Sequence, residues 1–109
     1  MGSLSSYIDH TNLSPLVLSS DVKILCEEAI EHNFASVCIN PFYVSYANSI
    51  LKDEKPKICS VVGFPLGADP EEMKYAEARF LIFQGADEID MVMNIALLKE
   101  RKIDLVKKE

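Results

Sequence analysis

The chain has 109 residues, 49% of them apolar, with four Gly and five Pro, a composition that fits an ordinary globular domain and excludes a disordered or fibrous chain. Its formal charge of -6 argues against nucleic acid and anionic membranes as partners, because both require a basic surface to neutralise phosphates. No apolar run approaches the roughly 18 residues of a membrane span, and residues 1–7 lack the basic start and long hydrophobic stretch of a signal peptide, so the expected location is the cytoplasm.

In chain order, a short polar start leads to residues 13–20, which hold Pro15 and several hydroxyl residues. Val22, Leu25, Cys26 and Ala29 then recur at helical spacing, with Ser19 or Ser20 as the cap and His32 and Asn33 as the stop. Residues 35–39 form a short apolar, β-branched run and read as a strand. Asn40 and Pro41 follow as cap and first residue of a helix over 42–52, which points Val44, Ala47 and Leu51 to one side. A second strand over 58–62 runs into Gly63-Phe64-Pro65-Leu66-Gly67. Asp69-Pro70-Glu71-Glu72 combines a cap, a proline at the first helical position and two carboxylates near the positive end of the dipole. That helix passes through Met73, Ala76, Phe80 and Phe83 and stops at Gly85. A third strand covers 88–93, and residues 96–109 read as a turn and the beginning of another helix.

Strands alternating with helices imply parallel pairing through right-handed crossovers, which defines an α/β chain. About three parallel strands are too few to close a barrel of eight, and a (β/α)8 domain usually runs to about 250 residues. The expectation is a single truncated segment of a (β/α)8 (TIM) barrel spanning residues 1–109.

In such a barrel the reactive groups stand at the C-terminal ends of strands. Period-two alternation places Ser36, Cys38 and Asn40 on one face of the first predicted strand, and Asp90, Val92 and Asn94 on the corresponding face of the third. These small and polar sets are expected to face the barrel interior. Asp90 is then a carboxylate in an otherwise apolar strand, where it serves either a reaction or a structural salt bridge. Cys26, Cys38 and Cys59 are odd in number and widely spaced, which suggests neither a disulfide framework nor a zinc site; reduced, buried thiols are expected. The 63–67 turn lacks GxGxxG and GKS/T, and Phe64 and Pro65 crowd or remove amide donors, so it is expected to shape the barrel rim and not to hold phosphate.

Four segments carry a family resemblance in order: Ile8-Asp9-His10-Thr11-Asn12-Leu13, Ser36-Val37-Cys38-Ile39-Asn40-Pro41, Val61-Val62-Gly63-Phe64-Pro65-Leu66-Gly67, and the run from Gly85 through Asp90 to Asn94. Together they resemble the N-terminal part of deoxyribose-phosphate aldolases. The resemblance implies a class I aldolase without metal or organic cofactor, which splits 2-deoxy-D-ribose 5-phosphate into D-glyceraldehyde 3-phosphate and acetaldehyde through a lysine Schiff base. It implies that Asp90 shuttles protons with water. It also implies that Cys38 lines the substrate pocket, that Asp9 and Thr11 lie near the sugar hydroxyls, and that Phe64 forms an apolar wall. For Cys38 the alternative is a small buried hydrophobe, and for Phe64 a ring that caps a core.

The family's nucleophilic lysine belongs to later strands, and all nine lysines here fall on predicted helices, loops or helix flanks. The 109 residues alone are therefore expected to be inactive, with a small phosphorylated sugar as substrate of the complete enzyme. The alternative is a non-catalytic truncated module, a homo-oligomer or a partner of a complementary fragment, that pairs exposed strand edges and apolar faces. A small flavodoxin-like or Rossmann-like binding domain is disfavoured by the missing glycine fingerprint and the few strands.

Overall fold

The computed structural model describes residues 3–109; Met1 and Gly2, where the reading of the N-terminus begins, lie outside the described residues. Four strands, β1 (Asp9–Asn12), β2 (Ser36–Ile39), β3 (Lys57–Val62) and β4 (Glu88–Met91), form one sheet in chain order. Every pair is parallel, so each strand returns to the same end of the sheet through a helix. The helices are α1 (Ser19–His32), α2 (Val44–Leu51), α3 (Glu71–Gln84), α4 (Ile95–Lys99) and α5 (Ile103–Lys108). The architecture is an open segment of a (β/α)8 barrel.

The expected three strands are thus four. Asp-His-Thr-Asn of β1 has no apolar alternation to announce a strand, and its conformation is set by backbone pairing with β2, from Asp9 opposite Ser36 to Asn12 opposite Ile39. The free edges are consequently β1 and β4. The last strand also ends earlier than expected, at Met91. Asn94, expected on its interior face, instead caps α4 by accepting the Leu97 N–H at 3.2 Å.

Helix α1 begins without a serine cap. Ser19 and Ser20 lie inside it, and the Asp21 carboxylate reaches back to accept the Leu18 N–H at 2.8 Å, near the positive end of the helix dipole. Its apolar stripe buries Val22, Leu25, Cys26 and Ala29 against Val37 and Ile39 of β2. Asn33 ends the helix in the left-handed conformation, φ 55°. A 3-10 turn at Pro41–Tyr43 precedes α2, which buries Val44, Ala47 and Leu51 in the same core as Ile58 and Val62.

Helix α3 starts at Glu71, one residue later than expected, with Pro70 rather than Asp69 at the cap position, and stops at Gly85 with φ 114°. Its core-facing residues are Leu81 and, unexpectedly, Lys74, each no more than 1% exposed. The stripe of Met73, Phe80 and Phe83 that marks the helix in the sequence lies outside, with Phe83 84% exposed. Lys74 Nζ donates to Glu109 at 2.7 Å, and the same carboxylate accepts the Asn94 N–H at 2.6 Å. A lone buried ammonium is expensive, so this contact ties α5 to α3, and the Asn94 bond ties it to the segment after β4. The Lys74 ammonium holds the Glu109 carboxyl below the usual carboxylate range, against the opposing pull of desolvation.

Candidate functional site

The interior face of the sheet, opposite the helices, is built by alternation. It carries Asp9 and Thr11 of β1, Ser36 and Cys38 of β2, Lys57, Cys59 and Val61 of β3, and Glu88 and Asp90 of β4. The register sets Thr11 beside Cys38 and Cys38 beside Cys59, while Asp90 sits beside Val61. One small cluster results. Cys38, Cys59 and Val61 are buried with Leu13 packed against them. Asp90 Oδ2 lies 3.8 Å from Cys59 Sγ.

Burial pushes the Cys38 thiol up, although bonds with Cys59 and Thr11 oppose that shift. Burial pushes Cys59 up further, with Cys38 and Asp90 adding to it. Both thiols are therefore protonated near neutral pH and are poor nucleophiles. Asp90 itself is exposed, not buried as the sequence suggested, because no element among the described residues covers the sheet beyond β4. Its side chain nevertheless lies on the interior face, converging with the thiols.

The sequence-predicted residues separate into two groups. Asp90, Cys38 and Thr11 come together. Asp9 starts β1, two residues back toward the opposite rim, and its carboxylate accepts the Ser36 hydroxyl at 2.7 Å. Phe64 stands above the sheet, 44% exposed, and lines a cleft of about 410 Å³ with Leu13, Asn40, Pro41 and Phe42 among others. These residues follow the C-terminal ends of β1, β2 and β3, the rim where barrel chemistry occurs. Gly67 fixes that rim: at φ 67°, a Cβ there would stand 2.2 Å from the Met93 carbonyl oxygen, so the loop after β3 backs directly onto the segment after β4.

Cys59 was missed. The signal was available, because the alternation of Cys59 and Val61 against Ile58 and Ser60 sorts β3 as it sorts the other strands. Cysteine spacing hid it, since a βα unit brings residues 38 and 59 into register despite their distance in sequence. Lys57 also departs from expectation: it is the first residue of β3, on the interior face but at the N-terminal end. Among the described residues no lysine stands at the C-terminal end of a strand, and Lys74, the buried lysine, is paired with Glu109.

A sheet of parallel strands joined by helices, with its polar groups on the inner side and a cleft at the C-terminal rim, is the layout of part of a (β/α)8 barrel. The chain belongs to the DeoC/LacD family of aldolases, whose family model matches residues 4–108. It is 52% identical to a deoxyribose-phosphate aldolase of Caldanaerobacter subterraneus subsp. tengcongensis over 97% of this chain and 46% of that protein. A crystal structure assigned as a deoxyribose-phosphate aldolase from Coccidioides immitis superposes with a TM-score of 0.92 at 39% identity, covering 94% of this chain and 41% of that one. The tetrameric deoxyribose phosphate aldolase from Aeropyrum pernix superposes with a TM-score of 0.82 at 38% identity, covering 86% and 40%. The chain thus spans about half the length of the curated relatives it matches.

Proposed function

We propose that the 109 residues are one truncated segment of a deoxyribose-phosphate aldolase barrel that supplies the proton-transfer side of a class I aldolase site. The parent reaction is cleavage of 2-deoxy-D-ribose 5-phosphate to D-glyceraldehyde 3-phosphate and acetaldehyde. In that reaction an amine condenses with the sugar carbonyl, the iminium withdraws electrons from the breaking C–C bond, and the resulting enamine takes up a proton. Asp90, with water, moves protons in carbinolamine formation and enamine protonation. Thr11 and Asp9 bind sugar hydroxyls, Cys38 lines the pocket, and Phe64 walls its apolar end.

The observation that carries this reading is the placement of Asp90 on the interior face at the end of β4, beside Cys38 and Cys59, while every lysine lies elsewhere. The chain alone therefore lacks the nucleophile and is inactive. Borohydride reduction in the presence of acetaldehyde or 2-deoxy-D-ribose 5-phosphate is expected to leave all nine lysines unmodified. A covalent adduct on any of them would overturn the inactivity. Mixing the chain with the C-terminal half of a relative is expected to restore cleavage, and Asp90→Asn to abolish it again. Cleavage unaffected by Asp90→Asn would remove Asp90 from the mechanism.

A second reading, a non-catalytic module that associates with itself or with a complementary fragment, is favoured by the open edges of β1 and β4 and by the exposed stripe on α3. Sedimentation decides it: a monomer at high concentration counts against this reading. The three free thiols and the acidic composition support a reducing, cytoplasmic setting. Among the described residues, no helix is long and apolar enough to cross a membrane.

A further inference from the structure

We propose that Cys38, Cys59 and Asp90 form a three-ligand site for a thiophilic divalent cation of the zinc type, formed where β2, β3 and β4 meet on the inner face of the sheet. The ligand atoms of the three residues all lie within 4.8 Å of one another, with Asp90 Oδ2 3.8 Å from Cys59 Sγ. A tetrahedral ion with sulfur at ~2.3 Å and oxygen at ~2.0–2.2 Å requires sulfur-to-oxygen spacings of roughly 3.6 Å and a sulfur-to-sulfur spacing of roughly 3.8 Å. The Asp90–Cys59 spacing already matches, and the remaining ligand atoms need to close by no more than about 1 Å around an ion.

The spacing is not an accident of a flexible loop. Cys38 and Cys59 are register partners on adjacent parallel strands, both buried, so the sheet itself fixes the sulfur pair. Two small buried hydrophobes would account for the thiols alone. A carboxylate from the next strand is directed at the same point and completes a set of three ligand atoms. Thiolates select soft and borderline ions over Mg²⁺ and Ca²⁺, which prefer all-oxygen ligands. Three protein ligands leave a fourth position open, and the exposed Asp90 marks the path by which the ion enters. Binding forms two metal–sulfur bonds and one metal–oxygen bond and releases the two thiol protons to solvent. Thr11, within hydrogen-bonding reach of Cys38, supplies an outer contact that orients that ligand.

The cation takes no part in the aldol chemistry. Its consequence, which rests on the aldolase reading of Asp90, is inhibition, because a carboxylate holding a metal no longer carries protons. The binding itself is independent of that reading and is tested without substrate.

The experiment is titration of the reduced 109-residue chain with Cd²⁺, followed by the thiolate-to-cadmium charge-transfer absorption, with Zn²⁺ as competitor. One Cd²⁺ per chain is expected, and Zn²⁺ displaces it. Cys38→Ser and Cys59→Ala remove the band, whereas Cys26→Ala, in the core on the other side of the sheet, leaves it unchanged. Asp90→Asn weakens binding by at least the roughly tenfold that even an outer-shell partner costs. Because Asp90 is exposed, that variant keeps its fold and decides the matter if either thiol variant unfolds, as circular dichroism will report. Absence of the band overturns the site, and so does a band that survives loss of both thiols. Binding that needs the thiols and ignores Asp90→Asn reduces the site to a dithiol and overturns the three-ligand assignment.

Discussion

Helices α1 and α2 bury seven side chains between them, whereas α4 and α5 bury none. Helix α3 is divided: Leu81 is fully buried, and two residues later Phe83 is 84% exposed. The first half of the sheet is sealed by elements that follow it directly in the chain. The second half, where Met91, Ile95, Leu98, Ile103 and Leu105 all stand exposed, is held by the β3–β4 ladder, one buried ion pair and close backbone contact at Gly67. Apolar packing secures one half and polar contacts the other, so the two halves should answer differently to mutation and to pH.

The sharpest contrast lies within α3. Leu81→Ala is expected to cost about 2–5 kcal/mol, the range for emptying a packed core position, and Phe83→Ala to stay within about 0.5 kcal/mol. Urea unfolding measures both. A large loss at Phe83 would mean that its face is covered in solution, and the two halves would then be alike.

The next largest effect is expected at the ion pair. Glu109→Gln leaves Lys74 without its counter-charge and should cost up to about 3 kcal/mol, the low end of the range because α5 can lift away and let water reach the amine. The pH dependence has a fixed sign. The native Glu109 carboxyl titrates below its ordinary value of 4.5, so its contribution is complete above that value and is lost as pH falls through the depressed native one. Hydrogen exchange of the α4 and α5 amides should rise on acidification before that of α1. Simultaneous loss of protection in α1 and α5 would contradict the division into halves.

Alkali should act on the buried thiols, of which Cys26 lies in the sealed half. Cys26 is pushed up to about 11 by burial, chiefly, and by Glu27, from an ordinary 9.0. Above pH 9 the unfolded chain loses this proton first, so Cys26 contributes a fall of about 1.4 kcal/mol per pH unit up to about pH 11, added to the falls that the raised thiols of Cys38 and Cys59 contribute. Cys26→Ala should flatten that part of the profile, and a slope unchanged by the substitution would point to another group.

The smallest loss expected from breaking a bond is at β1. Ser36→Ala removes the hydroxyl that Asp9 accepts and should cost about 1 kcal/mol, read as a shift in thermal midpoint. No shift would mean that water replaces the bond freely at this edge.

How much of this was legible depended on whether a local signal existed. The strand-helix alternation, the left-handed stop at Gly85 and the apolar side of α2 are written in spacing and residue type, and each is where the sequence put it. Strand β1 was not legible, because Asp-His-Thr-Asn is polar throughout and becomes a strand only by pairing. The burial of Lys74 was hidden for a related reason: its partner, Glu109, is 35 residues away, and no helical periodicity foretells a charge facing inward. The site was partly legible. Parity placed Cys38 and Asp90 on the inner face, but the meeting of Cys38 with Cys59 required the register between strands, which spacing along the chain does not encode.

The order of the strands in space has a consequence for how the chain assembles. Since β1, β2, β3 and β4 lie side by side in the order of their synthesis, each strand docks on a neighbour made just before it, across a single helical return such as the 27 residues from Asp9 to Ser36. Closing loops of this size is entropically modest, and each doubling of length adds only about 0.6 kcal/mol. The sheet can therefore grow vectorially, one unit at a time, with a templating edge always presented to the next segment to arrive. At every stage of that growth the edge is also the surface most open to a stranger.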